Sequence, residues 1–245
     1  MKAIIQTDLS NPRALEWADA PEPTLEDGQV LVKVKAAGVN RADLLQAAGH
    51  YPPPKGVTDT LGLECAGVIE EVKGDSQGWK VGDEVCCLLS GGAYAEKVAV
   101  PAGQILPLPH GYSFTEAASI VEVACTVFSN VGMIAGLKEG DLLLVHGGAG
   151  GIGTFAIQMA KRLGARVAVT AGSAEKLAKC KELGADILIN YKEEDFEEIV
   201  AAEGGANVIL DIMGAKYLDR NVKALAKDGH LVIIGGHEDR KNDMQ

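Results

Sequence analysis

Between positions 29 and 39 apolar and polar residues alternate: Val30, Val32, Val34 and Ala36 share one parity, while Lys33 and Lys35 hold the other. A period of two marks a strand with one buried face. Short runs at 2–6, 66–72, 84–89 and 94–100 read as further strands, separated by Gly and Pro clusters such as Tyr51-Pro52-Pro53-Pro54-Lys55-Gly56. Many short strands with irregular turns predict a closed or partly closed β-barrel.

From Ser113 the pattern changes. Ser113 with Glu116 three residues on is a capping-box signal, and the spacing predicts a long helix toward Ala135. Short aliphatic runs at 142–146, 166–170, 187–190, 207–211 and 230–234 then alternate with helical segments near 152–163, 174–183, 193–202 and 217–226. Strands without polar alternation are buried on both faces, as in a parallel sheet with helices on each side. The pattern predicts an α/β protein: a β-barrel domain over 1–120 and a doubly wound parallel-sheet domain over 121–245. The stretch 237–245 is polar and aperiodic, so the second sheet is expected to stop at its fifth strand.

Composition narrows the chemistry. The chain has 245 residues, room for two domains, with 47% apolar but only 4% aromatic residues, so the interior must be aliphatic. A net charge of -11 makes nucleic acid and anionic membranes poor partners. Ser129, Asn130 and Gly132 interrupt the best candidate for a membrane span, and Gln6, Thr7 and Asp8 follow too soon for a signal peptide. The five cysteines include no CxxC pair and do not cluster with the histidines. That argues against a bound metal and for free thiols in a reducing cytoplasm.

The run 142–146 leads into Gly147-Gly148-Ala149-Gly150-Gly151-Ile152-Gly153 at the start of a helix. Gly148, Gly150 and Gly153 fit the G-x-G-x-x-G dinucleotide fingerprint in its strand–turn–helix context. The amides around Gly151 and Ile152 can then approach a diphosphate at the positive end of the helix. A turn that is glycine-rich only for packing is the alternative. The next strand ends Val169-Thr170-Ala171-Gly172-Ser173, without the carboxylate that would hold an NAD ribose and repel a 2′-phosphate. Ser173 can donate a hydrogen bond and Lys176 a charge, although Lys176 equally fits an exposed face beside Glu175, Lys179 and Glu182. There is no G-x-S-x-G nucleophile elbow, so the chemistry is expected to come from a cofactor.

Gly38-Val39-Asn40-Arg41-Ala42-Asp43, Tyr51-Pro52-Pro53-Pro54, Gly62-Leu63-Glu64-Cys65-Ala66-Gly67 and Gly91-Gly92-Ala93-Tyr94-Ala95-Glu96 join the glycine turn, Thr170-Ala171-Gly172-Ser173 and Ile189-Asn190-Tyr191-Lys192-Glu193-Glu194-Asp195. Together they resemble the zinc-independent quinone oxidoreductases of the medium-chain dehydrogenase/reductase superfamily, in the ζ-crystallin-like, p53-inducible branch. The resemblance implies a GroES-like substrate domain followed by a Rossmann domain. It also implies NADPH as cofactor and hydride or electron transfer to quinones or related α,β-unsaturated carbonyls. By the same resemblance Ser173, Lys176 and Tyr191, with Gly172, match positions at the adenine ribose and its 2′-phosphate. Thr126 matches a position beside the nicotinamide, and Gly235 one that lines the cofactor. Asn40 and Tyr51 match positions facing the substrate. Zinc members carry Cys where this chain has Asn40 and His where it has Leu63.

A phenol at Tyr51 can donate to a quinone oxygen, or lie on the barrel with its hydroxyl in water. Asn40 suits a substrate contact or a structural turn. Family members continue past the last residue here into a sixth strand that commonly pairs across a homodimer, so the resemblance does not extend to the dimer. An NADPH-binding sensor or partner subunit of weak activity is the alternative to an enzyme.

Overall fold

The computed structural model describes residues 1–235; the polar stretch 237–245 lies outside them. By contacts the chain separates into two units, the second beginning at Val123.

In the first unit β1 (Lys2–Gln6) pairs antiparallel with β2 (Leu15–Asp19). β3 (Gln29–Ala37) is followed by α1 (Arg41–Ala47), β4 (Glu64–Lys73), β5 (Glu84–Leu88), β6 (Lys97–Pro101) and β7 (Ile105–Pro107). These five strands form one antiparallel sheet in the order β6-β3-β4-β5-β7. The alternation in β3 does its expected work. Val30 and Val32 join Cys65, Ile69, Val85, Cys87, Val98 and Val100 in the core, while Lys33 and Lys35 are exposed. β2 and β7 have no clear period-two pattern and escape sequence reading. The strand expected at 94–100 begins at Lys97 instead, because Tyr94 bonds to loop backbone at Leu61 and to Ile4.

The long helix expected after Ser113 is broken. α2 (Phe114–Ala117) starts at the Ser113–Glu116 capping box, α3 (Val121–Val127) follows, and 128–134 is wound as a π-helix. The cause is visible at Thr126, whose carbonyl accepts from Asn130 Nδ2 (2.8 Å) and Ser129 Oγ (3.2 Å). Side chains that bond back to the preceding turn compete with the backbone ladder, and Ala135 N–H reaches Asn130 five residues back. Ser129, Asn130 and Gly132 therefore divert the helix rather than end it. This corrects the expectation that no stretch is long enough to span a membrane. The 21 residues 114–134, which contain an 18-residue window with a mean hydropathy of 1.6, meet that requirement by length and composition. A helix packed in a protein interior meets it too, and here the stretch is divided into three pieces.

In the second unit β8 (Leu142–His146), α4 (Gly151–Arg162), β9 (Arg166–Ala171), α5 (Ala174–Glu182), β10 (Ile187–Asn190), α6 (Phe196–Ala202), β11 (Ala206–Asp211), α7 (Leu218–Ala224) and β12 (Leu225–Ile233) alternate as the periodicity implies. The sheet is parallel throughout, in the order β10-β9-β8-β11-β12. Leu143 and Val145 of β8 enter the core on one face, and Leu142 and Leu144 that on the other. Such double burial explains why the strands read as unbroken aliphatic runs. The last helix ends sooner than expected, and β12 starts at Leu225 with an irregular register against β11 between Ala206 and Val208.

Candidate cofactor and substrate sites

β8 lies at the point where the strand order reverses, with β9 on one side and β11 on the other. In such sheets ligands bind beyond the carboxyl ends of the strands at this switch point. The glycine turn 147–150 leaves β8 there. Gly147 has φ +71°, a conformation that favours glycine, and it lies one residue before the fingerprint that sequence reading singled out. A Cβ on Gly148 would lie 2.7 Å from Val169 Cβ, and one on Gly153 2.5 Å from the Gly148 carbonyl oxygen. Those two glycines let the helix close onto the strand. Gly150 is the N-cap of α4. Thr154 N–H is the first of the helix to bond back, to Gly150 O, so the amides of Gly151, Ile152 and Gly153 lack an intrahelical acceptor. A Cβ on Gly151 would meet nothing within 4 Å among the described residues. This is the cradle a diphosphate needs, and the residues present fit a dinucleotide.

Behind the turn a buried network fixes its start. His146 Nε2 lies 2.7 Å from Asn221 Oδ1, and Nδ1 lies 3.1 Å from Thr170 Oγ1. Since Asn221 Oδ1 can only accept, Nε2 carries the proton and Nδ1 accepts from the Thr170 hydroxyl. Thr170 Oγ1 in turn accepts from Gly147 N–H (3.3 Å). Burial pushes His146 below the ordinary imidazole range, against the opposing pull of Asn221 and Asp211. Its ring packs edge-on against Phe196 and Tyr217. Sequence reasoning missed this network, because its members lie far apart along the chain.

The candidate ribose end lies on the loop after β9. Ser173 caps α5, its hydroxyl accepting from Lys176 N–H (3.4 Å) and keeping its own proton to donate. Lys179 pairs with Glu182 (2.9 Å), whereas Lys176, exposed, has no ion-pair partner among the described residues. A Cβ on Gly172 would lie 2.6 Å from the Tyr191 hydroxyl and 3.3 Å from Lys192 Cε. Gly172 and Tyr191 thus come together from two loops, and no carboxylate stands between Thr170 and Ser173. Thr126 lies in α3 with its carbonyl engaged by Ser129 and Asn130, and Gly235 follows the carboxyl end of β12.

In the first unit Asn40 caps α1. Its Nδ2 donates to Glu64 Oε1 (2.9 Å), and the other Glu64 oxygen accepts from Glu122 N–H (3.0 Å). Glu64 is buried, which pushes its carboxyl above the ordinary range, partly offset by the Glu122 and Asn40 hydrogen bonds. Asp43, also buried, accepts from Asn40 N–H (2.7 Å), Tyr94 hydroxyl (2.8 Å) and Gly62 N–H (3.2 Å). Asn40 is therefore held by two buried carboxylates that sequence reasoning did not single out. Tyr51 is 47% exposed, and no hydrogen bond joins it to Asn40 among the described residues. A cavity of about 560 Å³ in this unit, lined by Glu22, Thr58, Gly91 and Lys97 among others, includes neither residue. Among the described residues no group of three or more His, Cys, Asp or Glu is placed to hold a metal.

Comparison with known proteins bears on the family and the fold. The family described as alcohol dehydrogenase GroES-like domain matches residues 26–110, and that described as zinc-binding dehydrogenase matches 151–244. Quinone oxidoreductase of Rattus norvegicus is 30% identical over 240 residues, covering 96% of this chain and 73% of the rat protein. The chain belongs to the medium-chain dehydrogenase/reductase superfamily. The spectinabilin polyketide synthase system protein NorB of Streptomyces orinoci is 34% identical over 91% of this chain, which spans only 11% of that much longer protein. Among solved structures, an NAD-dependent alcohol dehydrogenase superposes with a TM-score of 0.88 at 32% identity, covering 100% of this chain and 80% of its own. The quinone oxidoreductase of Thermus thermophilus, solved also with NADPH, superposes with a TM-score of 0.80 at 36% identity, covering 96% of this chain and 74% of its own. The fold is thus a GroES-like domain followed by a Rossmann-type parallel-sheet domain, in a superfamily oxidoreductase similar to quinone oxidoreductases.

Proposed function

We propose that this chain binds NADPH and, without a metal, reduces quinones or related α,β-unsaturated carbonyls. The observation that supports it most is the pairing of an open glycine turn at the switch point with a carboxylate-free ribose loop bordered by Ser173, Lys176 and Tyr191. NADPH, when bound, supplies the hydride or single electrons. The amides of Gly151 and Ile152 hold the diphosphate, at the positive end of α4. Ser173 donates to the 2′-phosphate, Lys176 neutralises it, and Tyr191 closes over Gly172. Thr126 would border the nicotinamide, and Gly235, just past the end of β12, would line the cofactor.

On the substrate side the Tyr51 hydroxyl donates a hydrogen bond to a carbonyl oxygen and keeps its proton. Asn40, its Nδ2 held by Glu64, presents the rest of its amide. Quinone reduction needs only donor and acceptor about 3–3.5 Å apart and modest hydrogen bonding to the developing oxyanion, so no strong general acid is required. Asn40 and Leu63 stand where the zinc-dependent branch carries Cys and His, which supports a metal-free reaction. Five free cysteines suit a reducing compartment, which we take to be the cytoplasm.

The test is oxidation of NADPH by a simple naphthoquinone, with and without a zinc chelator. Turnover undiminished by the chelator supports the proposal. NADPH binding without turnover refutes the enzymatic reading, and chelator-sensitive turnover refutes the metal-free one.

A further inference from the structure

A second cation borders the ribose loop. Lys192 follows Tyr191 in the turn between β10 and α6, and its Cε lies 3.3 Å from where a Cβ on Gly172 would stand. The turn that carries it is pinned at several points. Lys192 N–H donates to Asn190 Oδ1 (3.2 Å), Asn190 N–H donates to Glu194 Oε2 (2.7 Å), and the amides of Glu193 and Glu194 both return to the Asn190 carbonyl. Asn190 thus locks the backbone that lays Tyr191 and Lys192 across Gly172. Of the nearby acids, Glu194 is engaged by Asn190 N–H and Asp195 by Arg220 (2.8 Å), and no ion pair joins Glu193 to Lys192 among the described residues. Lys192 itself is exposed and has no ion-pair partner among the described residues.

Lys176, in the first turn of α5 that Ser173 caps, and Lys192 on this turn therefore reach the loop 172–173 from two different elements. A lone lysine near a loop is an ordinary surface feature. Two unpaired lysines on separate elements beside a glycine whose missing side chain leaves room for a neighbour's hydroxyl form a place for a dianion. We infer that Lys192 is a second specificity-determining residue, contributing with Lys176 to recognition of a 2′-phosphate on the adenosine ribose. The inference rests on the NADPH reading above and adds to it a residue and a reason why position 172 carries no side chain. A divided site also has a consequence: each lysine carries part of the preference, and neither alone abolishes it.

The test uses the full chain and two adenosine fragments, 2′,5′-ADP and 5′-AMP, titrated calorimetrically at low and at physiological salt. The wild-type chain should prefer 2′,5′-ADP. Lys192→Gln should weaken 2′,5′-ADP about five- to tenfold, as expected for losing one charge-assisted contact, and leave 5′-AMP unchanged. Lys192→Arg should restore the preference, and the loss should shrink as salt rises. If Lys192→Gln keeps the wild-type preference, or weakens both fragments equally, the inference is overturned while the NADPH reading stands. If the wild-type chain itself shows no preference, the NADPH reading fails and this inference fails with it.

Discussion

At the scale of single residues, the choice of dinucleotide turns on what stands at the end of β9. A carboxylate there would bind ribose hydroxyls and repel an added phosphate; Gly172 and Ser173 do neither. In the proposed reading Lys176 supplies the charge, and the Lys179–Glu182 pair explains why its helical neighbour does not compete for the role. Lys176→Ala should weaken NADPH by about tenfold, the worth of one lysine–phosphate contact of about 1.4 kcal/mol, and leave NADH affinity nearly unchanged. Fluorescence titration with both cofactors checks this, and equal losses would remove Lys176 from the site. Ser173, Lys176 and the glycine fingerprint could be named as candidates from the sequence because each lies in a short local pattern. Asp43 and Glu64 were not. A buried carboxylate looks like any other acid until the fold brings Asn40, Gly62, Tyr94 and Glu122 around it.

At the scale of elements, β8, β9 and α7 are tied by His146, Thr170 and Asn221, and Gly147 is tied to them. The neutral imidazole is the form this network accepts. Its folded pKa lies below the unfolded value near 6.5, so the unfolded chain binds more protons in the window between the two. Stability from this group is fully present above about pH 6.5 and is lost as the pH falls toward the folded value. The slope approaches about 1.4 kcal/mol per pH unit for one proton. Glu64, raised by burial, acts with the opposite sign above its own ordinary value, so the histidine's part must be isolated by difference. Urea unfolding of the wild-type chain and of His146→Gln between pH 7.5 and 5 should show a steeper fall for the wild type; parallel curves would contradict the assignment. The π-helix at 128–134 makes the same point about legibility. The sequence pattern marks Ser129 and Asn130 as interruptions, yet only the structure shows both side chains bonding back to Thr126.

At the scale of the whole molecule, the order of the parallel strands was not written in any local pattern, although their number and type were. Aliphatic runs alternating with helices imply a parallel sheet. The placement of β8 between β9 and β11 is a tertiary fact, and it puts the glycine turn where a ligand belongs. The barrel half was harder to read: β2 and β7 are short, and Tyr94 lies outside the strand its neighbours suggest. Family membership rests on both halves, whereas the proposed chemistry rests chiefly on the turn at 147–153.

Gly151 offers a direct test of that turn. A Cβ there meets nothing within 4 Å among the described residues, and an acid in the first turn of α4 suits the helix dipole. Gly151→Asp should therefore leave the fold intact, with an unchanged thermal midpoint, while its carboxylate occupies and repels the proposed diphosphate position. Titration of both proteins with NADPH is the deciding measurement. The account predicts saturable binding by the wild-type chain and none by the equally stable variant. Equal binding by the two would contradict it.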